Sequence, residues 1–258
     1  MGIVESIKKG FALAKKSMDL VLALFVFGAV WNLVNISLMP NVQDPQAPVN
    51  PATAMILMVL GIVFIFLSIF VQAGSLGYVR DKIKSGNAAL AVFFADGRKY
   101  YGRILLVGAM IGLVVGLFAV LAAVLAAVLS AFTIVAAILA VALIVIGVYF
   151  GILMFFAPYL VVVDGKSPLD AVKQSVTLVR KNLLAVLGVA GLLILAGFAV
   201  GLGLGGAFAG VNLVLKGVVP QILFAVISSF INAFLGVTVT SAFMHLYLGI
   251  SNNTSGAK

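Results

Sequence analysis

The sequence predicts an all-α, polytopic membrane protein with six transmembrane helices, and three observations carry that prediction. Hydrophobic residues fill 64% of the 258 positions and charged residues only 9%, against roughly half and a quarter in soluble domains. No soluble fold hides so much apolar surface. Uncharged runs cover Leu20 to Gln43, Pro45 to Val79, Ile104 to Val163, Leu183 to Leu215 and Gly217 to Ala257. About 20 residues at 1.5 Å rise cross a 30 Å hydrocarbon core, so the run from Ile104 holds two spans and each other run holds one. Finally, fifteen of the sixteen basic residues fall before span one, between spans two and three, between four and five, or at Lys258, which leaves Lys216 alone on the far side. The positive-inside rule then places both termini in the cytoplasm and the protein in the cell membrane.

The first element is Glu5 to Ser17, a basic segment with Lys8, Lys9, Lys15 and Lys16. Span one follows from Asp19. Its apolar run is about 20 residues long and no A-x-A-like site follows it, so a retained span is expected in place of a cleaved signal. Trp31, Asn32 and Asn35 lie towards its outer end, as a belt aromatic and two amides that bond a neighbouring helix. The loop from Pro40 to Pro51 carries four prolines and is expected to be irregular. Span two adds Ser68, Gln72 and Ser75, a polar seam against another helix.

Between spans two and three lie Arg80-Asp81-Lys82-Ile83-Lys84, a Ser85-Gly86-Asn87 turn, and an amphipathic stretch with Phe93, Phe94, Arg98, Lys99, Tyr100, Tyr101 and Arg103. Span three carries Gly108, Gly112 and Gly116, a small-xxx-small pattern suited to close helix packing. A turn is expected near Ser130 to Thr133. Span four ends in Pro158-Tyr159 and an extended exit, Val161-Val162-Val163-Asp164-Gly165.

The segment Gly165 to Leu184 is the clearest of its kind. Ser167 as N-cap, Pro168 at N1 and Asp170 at N3 start a helix. Leu169, Val172, Val176, Val179 and Leu183 form its apolar stripe, with Lys173, Thr177, Arg180 and Lys181 off it, the pattern of a helix that lies on a membrane surface. Residues 5–17 match residues 170–182 without a gap at an offset of 165, and residues 86–104 match more weakly at an offset of 79. The whole is therefore expected to be one membrane domain, 1–250, made of three repeats (1–79, 80–163 and 164–250). Each repeat is an amphipathic cytoplasmic interfacial helix followed by a hairpin of two spans, and 251–258 form a disordered tail. Span five carries Gly197, Gly201, Gly205, Gly206 and Gly210, so the first helices of these hairpins are expected at a tightly packed centre. Span six holds Asn232 and ends in Met244-His245-Leu246-Tyr247.

Reaction chemistry is sparse. The seven acids sit at span ends or in loops, which leaves nothing for a buried carboxylate relay. There is no cysteine and a single histidine, His245, so no metal site, cofactor or nucleophile–base pair is expected, and the protein is read as a non-enzyme. Nothing in it suggests nucleic-acid binding. Two functions fit. One is a basic cytoplasmic collar of Lys15, Lys16, Arg98, Lys99, Arg103, Lys173, Arg180 and Lys181 that binds anionic lipid headgroups or a membrane or cytoplasmic partner. The other is a permease or flippase for a lipid or small apolar solute, with Asn32, Asn35, Gln72 and Asn232 along its path.

The stretch Phe156 to Asn182 resembles the six-span membrane domain attached to some glycerophosphodiester phosphodiesterases and its stand-alone prokaryotic relatives. There a Pro-containing span end leads through an acidic-Gly turn to an Ala-x-x-x-Ser-x-x-x-Val/Thr-Arg helix. The matching residues are Pro158, Asp164, Gly165, Ala171, Ser175 and Arg180. The resemblance covers about a tenth of the chain, agrees elsewhere only in hydropathy and span number, and implies a non-catalytic membrane module, since no soluble phosphodiesterase domain accompanies it in these 258 residues.

Overall fold

The computed structural model describes residues 2–38, 50–129, 133–215 and 217–255, with side chains as far as Ser251. The expected turn near Ser130 and most of the expected loop after Pro40 lie outside the described residues. The rest is helical: α1 (Ile3–Lys15), α2 (Met18–Leu38), α3 (Pro51–Ser85), α4 (Leu90–Val128), α5 (Thr133–Leu153), α6 (Ala157–Val163), α7 (Pro168–Lys181), α8 (Leu183–Val214) and α9 (Val218–Ser255). Six helical segments, namely α2, α3, α4, α5 with α6, α8 and α9, are long and apolar enough to cross a membrane. The chain is a multi-pass membrane protein.

Helix boundaries follow local chemistry. Ser167 caps α7 by accepting from the Asp170 N–H at 3.3 Å, with Pro168 in the first turn. Gly86 ends α3 at φ 78°, and Gly165 turns the chain into α7 at φ 67°, both left-handed conformations that favour glycine. α1 and α7 start in the same register, as do the spans that follow: Ile3 and Pro168 open the first pair, Met18 and Leu183 the second, and both pairs are 165 residues apart. Their buried faces also correspond, Ser6, Gly10 and Ala14 in α1 against Ala171, Ser175 and Val179 in α7.

The middle segment departs from the expected pattern. α4 runs unbroken through Arg103, so its first turns and span three are one 39-residue helix. The two breaks fall at Ser17 and Asn182, and at the second the short Asn182 side chain competes for backbone hydrogen bonds, donating to the Leu178 carbonyl at 3.0 Å. Arg103 is a good helix former and provides no such competition. At 1.5 Å per residue α4 is about 58 Å long, well beyond a bilayer core of about 30 Å, and its excess is the charged end.

Packing is uneven along the spans. α3 lies along α4, α4 along α5, and both α1 and α2 along α9, while α2–α3 and α8–α9 touch more sparsely. The buried core gathers at the charged end, in residues such as Tyr78, Val79, Ile104, Phe156, Val161, Met244 and Tyr247. Towards the other end large apolar side chains are exposed, among them Leu113, Val128, Ile134, Leu202 and Leu213.

Four expectations are corrected here. The glycines of α4 (Gly108, Gly112, Gly116) and α8 (Gly197, Gly201, Gly205, Gly206, Gly210) meet nothing within 4 Å of an added Cβ, so these stripes are not where helices pack tightly. The close approaches occur elsewhere: a Cβ at Gly10 would meet the Thr238 carbonyl and Ala242 nitrogen of α9 at 2.7 Å, one at Gly74 would press on Phe93, and one at Gly77 on Asp96. Residues 161–163 are helical, as part of α6, where an extended exit was expected. The tail is helical from Ser251 to Ser255 because α9 continues through it, and 256–258 lie outside the described residues. The seam on α3 does not form: Ser68 bonds the Ile65 carbonyl of its own helix, Gln72 is exposed, and the Ser75 hydroxyl is buried with no hydrogen-bond partner.

Candidate functional site

The charged end is tied together by the acids. Arg80 of α3 is held by the Asp96 carboxylate of α4 at 2.8 Å and by Asp81 at 2.7 Å, and it donates to the Val162 carbonyl of α6 at 2.9 Å. The Arg80 and Asp96 side chains are 15% and 9% exposed, so Asp96 is a buried carboxylate at the charged end of α4, ahead of its uncharged run. Desolvation on that scale is sustained only by a cation in contact. Two tyrosines make parallel links. The Tyr78 hydroxyl of α3 donates to Asp19 at the start of α2 at 2.6 Å, and the Tyr247 hydroxyl of α9 donates to Asp164 between α6 and α7 at 2.7 Å.

Ser175 makes the fourth link. The helical ladder tightens between α5 and α6, where the Phe155 N–H donates to the Ile152 carbonyl at 3.1 Å and the Ala157 N–H to the Met154 carbonyl at 3.0 Å, which leaves the Phe156 N–H and the Leu153 carbonyl free of the ladder. The Ser175 hydroxyl accepts from the first at 3.0 Å and donates to the second at 2.9 Å, all fully buried. Ala171, one turn before, has no exposed surface.

With the acids engaged, the basic side chains face outwards. Lys15, Lys16, Arg98, Lys99, Arg103, Lys173, Arg180 and Lys181 are all exposed, and among the described residues none of the eight forms an ion pair. Lys15 sits over the Phe11 ring and Lys99 over Tyr100, at 4.7 and 5.0 Å. Arg103 donates to the Gly165 carbonyl at 3.3 Å. Elsewhere on the same end, Lys9 pairs with Glu5 at 2.8 Å, and its hydrogen bond and charge hold the Glu5 carboxyl below the usual carboxylate range. Two clefts open among these cations. One, of about 320 Å³, runs along α7 beside Lys173, Gln174, Thr177, Leu178 and Lys181. The other, of about 400 Å³, lies between α3 and α4 and is lined by Phe66, Leu67, Phe70, Arg98 and Tyr101.

The polar residues within the spans are only partly brought together. The Asn32 amide donates to Ser229 of α9 at 2.8 Å, and Asn32, Ser229 and Asn232 share a cavity of about 310 Å³ with Trp31 and Phe27. Asn35 turns back to the Trp31 carbonyl of its own helix at 2.8 Å, Gln72 is exposed outside this cavity, and His245 is half-buried near the charged end, away from all of them. Trp31 stacks on Phe64 of α3 at 4.1 Å. Among the described residues no group of three His, Cys, Asp or Glu side chains is placed to hold a metal ion.

Comparison with known families finds one match, to the Domain of unknown function (DUF7847), over residues 1–250. The chain belongs to the DUF7847 family. No curated protein and no solved structure matches it. The DUF7847 match takes in every link described above, from Asp19–Tyr78 to Asp164–Tyr247.

Sequence reasoning passed over Arg80, Tyr78 and Tyr247, which organise this DUF7847 chain. One signal was present: a tyrosine stands near the charged end of each even-numbered span, at Tyr78, Tyr159 and Tyr247, and all three are buried. Their partners are 59 and 83 residues away for the two that bond acids, too far for any local pattern.

Proposed function

We propose that this chain is a non-enzymatic integral membrane protein whose basic collar binds the headgroups of anionic lipids on the cytoplasmic leaflet. One observation carries the reading. Each described acid has a partner within the chain: Glu5 with Lys9, Asp19 with Tyr78, Asp81 and Asp96 with Arg80, Asp164 with Tyr247, and Asp170 with Ser167. Ten exposed cations, the eight of the collar with Lys8 and Lys84, are left without a carboxylate among the described residues. Each is worth about 1 kcal/mol near an anionic surface. The charge asymmetry supports cytoplasmic termini. The half-exposed Leu169 beside exposed Lys173 and Lys181 supports α7 as an interfacial helix, and the shared register of α1–α2 and α7–α8 supports the repeat. The Phe156 to Asn182 likeness to a phosphodiesterase-associated membrane domain agrees with a non-catalytic module.

The test is lipid retention. Lys15, Lys16, Arg180 and Lys181 are replaced together by glutamine, and the phosphatidylglycerol that co-purifies per protein is measured by mass spectrometry. Retention should fall severalfold; unchanged retention would refute the collar.

A second reading, a permease or flippase for a lipid or small apolar solute, is favoured by the cavity that Asn32, Ser229 and Asn232 share. It requires Asn32→Leu to abolish transport in reconstituted vesicles while the protein stays folded. The positions of Asn35 and Gln72 away from that cavity weigh against it.

A further inference from the structure

We infer that the α3–α4 cleft is a discrete seat for one anionic phospholipid, with the phosphate on Arg98 and an acyl chain on Phe66, Leu67 and Phe70; this rests on the collar reading and names its principal site. Of the two clefts among the exposed cations, the one on α7 is lined from a single helix, Lys173 to Lys181. The α3–α4 cleft joins two helices and two chemistries. Its apolar wall is Phe66, Leu67 and Phe70 of α3, and its polar rim is Arg98 and Tyr101 of α4.

The wall is built to stay in place. Gly97 leaves room for the Phe70 ring, since a Cβ there would meet it at 2.7 Å. Phe93 holds the same ring edge-on at a centroid distance of 6.0 Å. Arg98 follows Gly97 directly and is exposed, and the nearest acid in sequence, Asp96, is already bound to Arg80. Its guanidinium is therefore free to take a phosphate through two parallel hydrogen bonds, with the Tyr101 hydroxyl beside it as a further donor. Phe66 and Leu67 are 45% and 50% exposed, on the apolar side of that rim, where a lipid tail runs. A volume of about 400 Å³ suits a headgroup and the first part of one chain, at the small end of ligand pockets of about 300–1,000 Å³. A soluble phosphate would use the rim and leave the wall bare.

The experiment is native mass spectrometry of the full chain in detergent, titrated separately with dioleoylphosphatidylglycerol, dioleoylphosphatidylcholine and glycerol phosphate. The wild type should bind a first phosphatidylglycerol more tightly than a phosphatidylcholine, and glycerol phosphate weakly. Arg98→Gln should weaken that first phosphatidylglycerol by about tenfold and leave phosphatidylcholine unchanged; Arg98→Lys, which keeps the charge and loses the fork, should fall between. Leu67→Asn should weaken phosphatidylglycerol and leave glycerol phosphate unchanged. Lys181→Gln should affect only later lipids. Equal effects of Arg98→Gln and Lys181→Gln would overturn the seat and leave the diffuse collar standing. Glycerol phosphate binding as tight as phosphatidylglycerol would overturn the acyl-chain half. A wild type with no preference for phosphatidylglycerol would overturn both the seat and the collar. Helical circular dichroism and a monodisperse elution profile verify that each variant is folded.

Discussion

Replacing Arg80 with methionine removes the cation from a carboxylate that has almost no access to water. The Asp96 side chain is 9% exposed and its ion-pair partner is Arg80 at 2.8 Å, while Asp81, 34% exposed, can turn to solvent. Breaking a buried pair by deleting one member costs about 3–5 kcal/mol, most of it the penalty of the charge left behind. The Val162 carbonyl also loses its donor, which loosens α6 from α3. At about 2–4 °C per kcal/mol for a chain of this size, Arg80→Met should lower the melting temperature in detergent by about 10 °C. The double variant Arg80→Met/Asp96→Asn removes the orphaned charge as well, and should recover about half of that loss, a coupling of about 2 kcal/mol. Circular dichroism and the fluorescence of Trp31, the only tryptophan, follow the transition. If the double variant melts no higher than Arg80→Met, or if Arg80→Met melts with the wild type, the pair does not hold the charged end together.

Other outcomes follow from the same contacts. Ser175→Ala strands the Phe156 N–H and the Leu153 carbonyl in a dry site and should destabilise by about 2 kcal/mol, measured by the same melts. Gly77→Ala should destabilise by at least about 1 kcal/mol through its collision with Asp96, whereas Gly201→Ala, with open space around it, should be neutral or slightly stabilising because alanine favours the helix. For topology, the absence of native cysteine makes single-cysteine labelling clean. Cysteines at Lys9, Lys84 and Lys173 should be shielded from an impermeant maleimide in intact cells and react after lysis, while one at Ala52 should react in intact cells; the reverse pattern would invert the orientation.

Much of this fold was legible because lipid imposes it. Six spans follow from charge-free runs, and the start of α7 follows from Ser167-Pro168, since a cap and a proline act within one turn. Which face of a span meets protein was not legible. A glycine stripe has the same spacing whether it meets another helix or open space, and the stripes of α4 and α8 meet the latter while Gly10, Gly74 and Gly77 make the contacts. The eight collar cations could be named from charge position alone, yet their lack of carboxylate partners could not. That depends on Arg80 reaching Asp96 across 16 residues and on tyrosines reaching acids across 59 and 83.

The serine that bridges the α5–α6 break also sets a timing for synthesis. Phe156 and Ser175 are 19 residues apart, so at about 5–20 residues per second the ribosome takes about 1–4 s to supply the missing hydroxyl. Through that interval the interrupted end of span four carries a bare amide and a bare carbonyl, which water can satisfy and hydrocarbon cannot. The break can settle into the dry core only once α7 has been made and has docked, which makes the docking of α7 the step that completes the fourth span.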